Sequence, residues 1–325
     1  MNAFRTICQK LSLAFSLSIL CGALMAQGFP NKPIKFIVPY APGGVGDLTA
    51  RMVAQKMSEN LGQPVVVDNR PGAGMVAGTD AGAKAEPDGY TMVLTGNGHT
   101  LTYSLFKSLP FDITKDFAHV SSIGFFDLVL FTHPSSGINS VQDLIRLAKS
   151  NPGKVNIGTI SIGSTQNLAG ELFKSMAGID AAVIPYKATA DVITAVASQS
   201  ITVGVEIMAP MMGPLKGGTV KALAISSNKR FAMFPNVPTV IESGLPGYEA
   251  SSWNGISVPA RTPAAVVERL NKAVQFALNA PDTKAKMLEM GVDSRGSTPE
   301  EMRDLILSDI KKWRAVIDRA NIVRQ

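Results

Sequence analysis

Cysteine is nearly absent from this chain. Its 325 residues hold two, Cys8 and Cys21, both within the first 26 positions. Once that segment is removed, neither a disulfide framework nor thiol chemistry is available. Histidine is scarce too: His99, His119 and His133 fall in no metal-ligand spacing, so no metal site and no cofactor are expected. No run of like charges concentrates the net charge of +6, which speaks against a nucleic-acid footprint. Aromatics make up only 6% of the residues, whereas 29 glycines and 20 prolines punctuate many turns. With 46% hydrophobic and 17% charged residues, the chain can build real cores and is not of disordered composition. Its length suits two lobes.

The N-terminus reads as a secretory signal. Arg5 and Lys10 supply positive charge, and no acidic residue precedes Asp47. Leu11 to Leu24 is apolar apart from serines, Cys21 and Gly22, and at about 14 residues it is short of a bilayer-spanning helix. Cleavage is expected after Ala26, giving a periplasmic protein. Cys21 raises lipid attachment as an alternative, but bulky Leu20 before it argues against that. No transmembrane segment follows.

Downstream, short β-rich runs alternate with helical patterns. Strands are expected at Ile34–Pro39, Val65–Asp68, Thr91–Thr95, Val155–Gly158, Ala182–Pro185, Thr202–Ile207 and Lys221–Ser226. Ala50, Val53, Ala54, Met57 and Leu61 share one helical stripe, and Ser140 with Asp143 has capping-box spacing. Thr262-Pro263 and Thr298-Pro299 each read as N-cap then N1, the second with Glu301 completing a capping box. The alternation predicts an α/β fold. Leu128–Thr132 and Gly255–Pro259 read as strands crossing between lobes. If they pair as a hinge, lobe 1 is 27–127 plus 256–325 and lobe 2 is 128–255, with a ligand cleft between them.

Chemistry gathers at two strand-to-helix turns. In Tyr40-Ala41-Pro42-Gly43-Gly44-Val45-Gly46-Asp47, glycines let a ligand approach main-chain N–H groups at a helix N-terminus, which suits a carboxylate or phosphate. No Gly-Lys-Ser/Thr follows, so this is not a phosphate P-loop, and its spacing is not the dinucleotide one. A purely structural turn is the competing reading. Gly158 to Thr165 repeats the design: Ser161, Gly163, Ser164 and Thr165 precede or open a helix, as caps or as ligand contacts. Gly96 and Asn97, at the end of the Thr91 strand, join the candidate ligand-binding residues.

The order of several segments resembles the solute-binding proteins of tripartite tricarboxylate transporters, the Bug-type proteins. The matching stretches are Val38 to Asp47; Val66-Val67-Asp68-Asn69-Arg70-Pro71-Gly72-Ala73-Gly74; Pro87-Asp88-Gly89-Tyr90-Thr91; Pro185-Tyr186-Lys187; Val220 to Ala224; and Pro235-Asn236-Val237-Pro238-Thr239 with Glu242 and Gly244. The resemblance spans essentially the whole chain after the signal. It implies a two-lobed periplasmic-binding-protein (Venus flytrap) fold with paired hinge strands, working as a monomer. It also implies capture of a small organic, aromatic or amino acid for integral-membrane transporter subunits. The turns matching Tyr40–Asp47 and Ser161–Thr165 would hold a ligand carboxylate through main-chain groups and ordered water. Asn69 to Gly72 would be structural, with a carboxylate clamp by Arg70 as the weaker reading.

Four positions depart from the family's habit: Ser161 and Ala188 where glycine is usual, Asn167 where histidine is frequent, and Glu206 where a shorter aspartate is often found. The Ala188 methyl could narrow the pocket or restrict main-chain contact. Glu206 could accept from a ligand amine or hydroxyl and would repel a second acid unless protonated; a solvated strand-end residue is its bland alternative. An enzyme is disfavoured, because Ser161 and Ser164 have no nearby His in sequence and no Gly-x-Ser-x-Gly elbow exists, leaving Asp47 and Glu206 as an acid–base pair to consider. A sensor that presents its ligand to a membrane receptor is the other alternative.

Overall fold

The computed structural model describes residues 28–72 and 75–324. The expected signal segment, with Cys8 and Cys21, lies outside the described residues. Nine strands are described: β1 (Ile34–Val38), β2 (Val65–Asn69), β3 (Thr91–Gly96), β4 (Phe117–Thr132), β5 (Val155–Ile160), β6 (Ala181–Tyr186), β7 (Val203–Ile207), β8 (Lys221–Ile225) and β9 (Ser251–Pro259). Ten helices join or follow them: α1 (Val45–Leu61), α2 (Val76–Ala83), α3 (Asn97–Leu105), α4 (Val141–Ser150), α5 (Thr165–Ala177), α6 (Thr189–Ala197), α7 (Met208–Lys216), α8 (Ala264–Asn279), α9 (Pro281–Glu289) and α10 (Pro299–Arg319). The result is the expected α/β fold.

Two sheets share one long strand. The first runs β2-β1-β3-β9-β4, with β1 parallel to β2 and β3 and with β9 antiparallel to both β3 and β4. In the second, β5 lies parallel to β6 and β7, and β4 pairs antiparallel with β7 and β8. Phe117–Asp127 of β4 pairs with Ser251–Pro259, whereas Leu128–Thr132 pairs with β7 and β8. The crossing is therefore longer than the alternation of residues suggests. Leu128–Thr132 does not pair with Gly255–Pro259; the stretch before it does. Polar His119, Ser121, Ser122 and Asp127 hid that stretch, and the register shifts twice within it.

Each sheet is covered on both faces, as parallel strands require. Phe36 and Val38 point into a core with Ala50, Val53, Met57 and Leu270, while Ile37 points the other way, toward Trp253, Met302 and Ile306. In the second sheet, Ile157 packs with Leu144, Leu168 and Phe173, and on the opposite face Val129 and Phe131 pack with Val192, Met208 and Met211. Helix α10 belongs to both halves. Its Met302, Ile306 and Ile310 pack on the first sheet, and its Trp313, Val316 and Ile317 enter the core of the second. The capping box at its start is present: Thr298 Oγ1 accepts from the Glu301 amide, and Glu301 accepts from the Thr298 amide. At α8 the cap is Pro263 and the helix begins at Ala264; the Thr262 hydroxyl donates to the Pro259 carbonyl instead.

Candidate ligand-binding site

Within each set of parallel strands the first lies between the second and third (β2-β1-β3 and β6-β5-β7), so the chain passes in succession to opposite sides of its C-terminal end. Such switch points are where open α/β sheets bind ligands. The turns after β1 and after β5 occupy these two places, and they share one construction. Gly43 (φ +86°) and Gly163 (φ +79°) adopt left-handed backbone that disfavours side chains. Each then donates its amide to the side chain four residues on: Gly43 to Asp47 Oδ2 at 2.9 Å, Gly163 to Asn167 Oδ1 at 3.0 Å. Gly44 and Ser164 are the N-cap residues, both extended.

The two turns differ in what remains free. Gly44 has no side chain to cap α1, so the first amides of that 17-residue helix keep their donors, beside exposed Ala41, Pro42, Gly43 and Gly44. At α5 the Ser164 hydroxyl accepts from the Asn167 amide at 3.1 Å and donates to the Ile160 carbonyl at 3.1 Å. Of the two roles open to Ser164, capping is the one its hydroxyl performs. The Ser161 side chain is exposed, and its amide donates to the Tyr186 carbonyl.

Asp47 braces the first turn. It is 1% exposed, and besides the Gly43 amide it accepts from Arg51 Nε at 3.0 Å and Asn69 Nδ2 at 2.8 Å. Burial alone would raise its pKa, but the bonds from Arg51, Gly43 and Asn69 outweigh that and hold the carboxyl below its ordinary value. Asn69 also donates to the Tyr40 carbonyl at 3.1 Å. Asn69 is thereby structural, and Arg70 pairs with Asp68 at 2.9 Å. Tyr40 is partly buried, and burial pushes its phenol up to about 12.

Asn97 and Thr165 are brought together across the two sheets. Thr165 Oγ1 donates to Asn97 Oδ1 at 2.6 Å, and Asn97 Nδ2 donates to Asp309 Oδ2 at 3.0 Å. Trp253 Nε1 donates to the same Asp309 oxygen at 2.7 Å, while Lys312 lies 2.9 Å from the other. Gly96 has a steric duty: a Cβ there would come within 2.2 Å of the Trp253 carbonyl oxygen. These three candidates are thus engaged in joining α3, α5, β9 and α10. Asp309 was not legible beforehand, because it looks like one more polar residue on an amphipathic helix.

The second sheet contributes two more candidates. Ala188 is exposed and is the N-cap of α6. Glu206 is fully buried at the end of β7, which overturns its reading as a solvated strand-end residue. Its Oε2 accepts from Thr189 Oγ1 at 2.9 Å and Gln166 Nε2 at 3.4 Å, and its Oε1 has no partner. Asp47 and Glu206 each bind their own neighbours. A cavity of about 520 Å³ lies elsewhere, between α8 and α10; His119 and Arg303 line it and no candidate residue does. Among the described residues, no cluster of three metal-ligating side chains occurs and no helix is long and apolar enough to cross a membrane.

Two α/β units joined by crossing strands, with matched glycine turns at their switch points, define a two-lobed binding protein. Residues 49–322 match the tripartite tricarboxylate transporter family receptor, and the chain belongs to that family of periplasmic solute-binding proteins. It is 35% identical over 300 residues to protein BugT of Bordetella pertussis, covering 92% of each chain. Among solved structures it is similar to Rpa4515 of R. palustris with adipate, at 31% identity and a TM-score of 0.76, covering 91% of this chain and 99% of that one. MatC from Rhodopseudomonas palustris with bound malate is similar at 27% identity and a TM-score of 0.71, covering 89% and 100%.

Proposed function

We propose that this protein captures a small carboxylate in the cleft between lobe 1 (27–127 plus 256–325) and lobe 2 (128–255), and delivers it to integral-membrane subunits of a tripartite tricarboxylate-type transporter. The observation that carries this reading is the uncapped start of α1. A glycine turn braced by Asp47 leaves several amide donors and a positive dipole end with no side chain across them. The turn after β5, with Ser161 and Gly163, supplies the facing wall together with Ala188 after β6. Export by the segment 1–26 and action as a monomer belong to the same reading. The adipate and malate in the related structures support a carboxylate ligand.

Native mass spectrometry of the protein as purified tests this reading. A small acid released on unfolding is the expected result. If refolded protein neither carries such a species nor responds thermally to adipate, malate or amino acids, the reading fails.

A further inference from the structure

Glu206 is a fully buried carboxylate of the second sheet. Among the described residues no Lys, Arg or His side chain pairs with it, and its side-chain partners are the neutral groups of Thr189 and Gln166. Those two residues lie in the first turns of α6 and α5, the helices that start from the turns after β6 and β5. Glu206 itself is the penultimate residue of β7, so the C-terminal ends of three neighbouring parallel strands converge on its carboxyl group. One oxygen is satisfied and the other, Oε1, is buried without a donor. An orphaned buried acceptor is destabilising, and an apolar side chain at this place would avoid that cost. The arrangement is poor as a structural device and apt as half of a recognition contact.

We propose that Glu206 selects the ligand by its hydrogen-bond donor: Oε1 accepts from an ammonium or hydroxyl group on the bound acid, so the protein prefers amino or hydroxy acids to plain dicarboxylic acids. This rests on carboxylate capture at the turns after β1 and β5, and it adds a second, donor-bearing end to the ligand. Burial pushes the Glu206 carboxyl up to about 7, against the opposing pull of the Thr189 and Gln166 bonds. The Ile207 amide adds a weaker pull without meeting hydrogen-bond geometry. An arriving ammonium would favour the ionised form and supply the missing cation. A hydroxyl would supply the missing donor.

Matched acids test the proposal. Protein unfolded, dialysed and refolded is titrated calorimetrically with succinate, malate and aspartate, and with glutarate, 2-hydroxyglutarate and glutamate. Within each set the carbon frame is constant and only the second-carbon substituent changes. In at least one set the hydroxy or amino acid should bind about tenfold or more tighter than its parent, and Glu206→Gln should remove most of that advantage. Equal affinity within every set overturns the proposal while leaving carboxylate capture standing. So does an advantage that Glu206→Gln retains. A preference for the plain diacid that strengthens as pH falls also overturns it, because a protonated Glu206 would then be donating to a second carboxylate. No binding in either set, with no acid co-purifying, overturns both readings. The wild-type comparison decides the matter even if the variant fails to fold.

Discussion

Asp47 and Glu206 are both carboxylates sealed from solvent, yet their surroundings push them in opposite directions. Three donors close on Asp47 and keep it ionised, whereas two neutral groups leave Glu206 half satisfied. The difference has a measurable sign. The Glu206 carboxyl is raised from 4.5 to about 7 in the folded protein, so this group binds more protons in the folded than in the unfolded chain across that interval. Its contribution to stability falls as pH rises from about 4.5 to 7 and is level above. Glu206→Gln should remove that contribution and stabilise the ligand-free protein at pH 8 by on the order of 3 kcal/mol. At pH 4, where both side chains are neutral, the variant should gain little. Denaturant titrations at the two pH values check this; equal effects at both would mean Glu206 is not held in a neutral form. Ser164 makes a simpler case. Its hydroxyl caps α5, so Ser164→Ala should lower ligand-free stability by about 0.5–2 kcal/mol, read from thermal melts.

At the scale of elements, most strands were legible because each is a short apolar run ended by glycine, proline or polar residues. Ile34–Val38, Thr91–Gly96 and Lys221–Ile225 lie within a residue of expectation. The stripe of Ala50, Val53, Ala54, Met57 and Leu61 is buried as its spacing required. What escaped was Phe117–Asp127, where serines and a histidine face one another across the sheet: Ser257 Oγ lies 2.7 Å from Thr95 Oγ1 and 3.0 Å from His119 Nδ1. Polar residues satisfied by each other in a strand carry no apolar alternation to read. The glycine turns could be read as helix starts, but their mutual likeness in bracing could not, since Asp47 and Asn167 show it only through their bonds to Gly43 and Gly163. Gly96 likewise looked like part of the ligand site, and only the nearby Trp253 carbonyl shows its duty. Gly96→Ala should weaken the β3–β9 pairing and lower the melting temperature, a loss that ligand does not selectively restore.

Across the whole molecule, two sheets meet along β4 and are fastened again by α10. The chain Thr165–Asn97–Asp309 with Trp253 and Lys312 ties the turn after β5 to that helix. Asn97→Ala would leave the Thr165 hydroxyl and one Asp309 bond unmet, for a loss of about 1–3 kcal/mol in chemical denaturation. Asp309 keeps Trp253 and Lys312, so the variant should still fold.

Binding at the first turn is the central claim, and Gly44 offers the most direct measurement. A Cβ at Gly44 meets nothing closer than the Ala41 carbonyl at 3.9 Å, and its backbone is extended. Valine therefore fits the protein itself and intrudes only on the space before the α1 amides. Calorimetric titration of refolded wild type and Gly44→Val with the acid identified by native mass spectrometry should show binding in the first and its loss in the second, at nearly unchanged melting temperature. Equal affinity in the two proteins would place the carboxylate elsewhere and contradict the account.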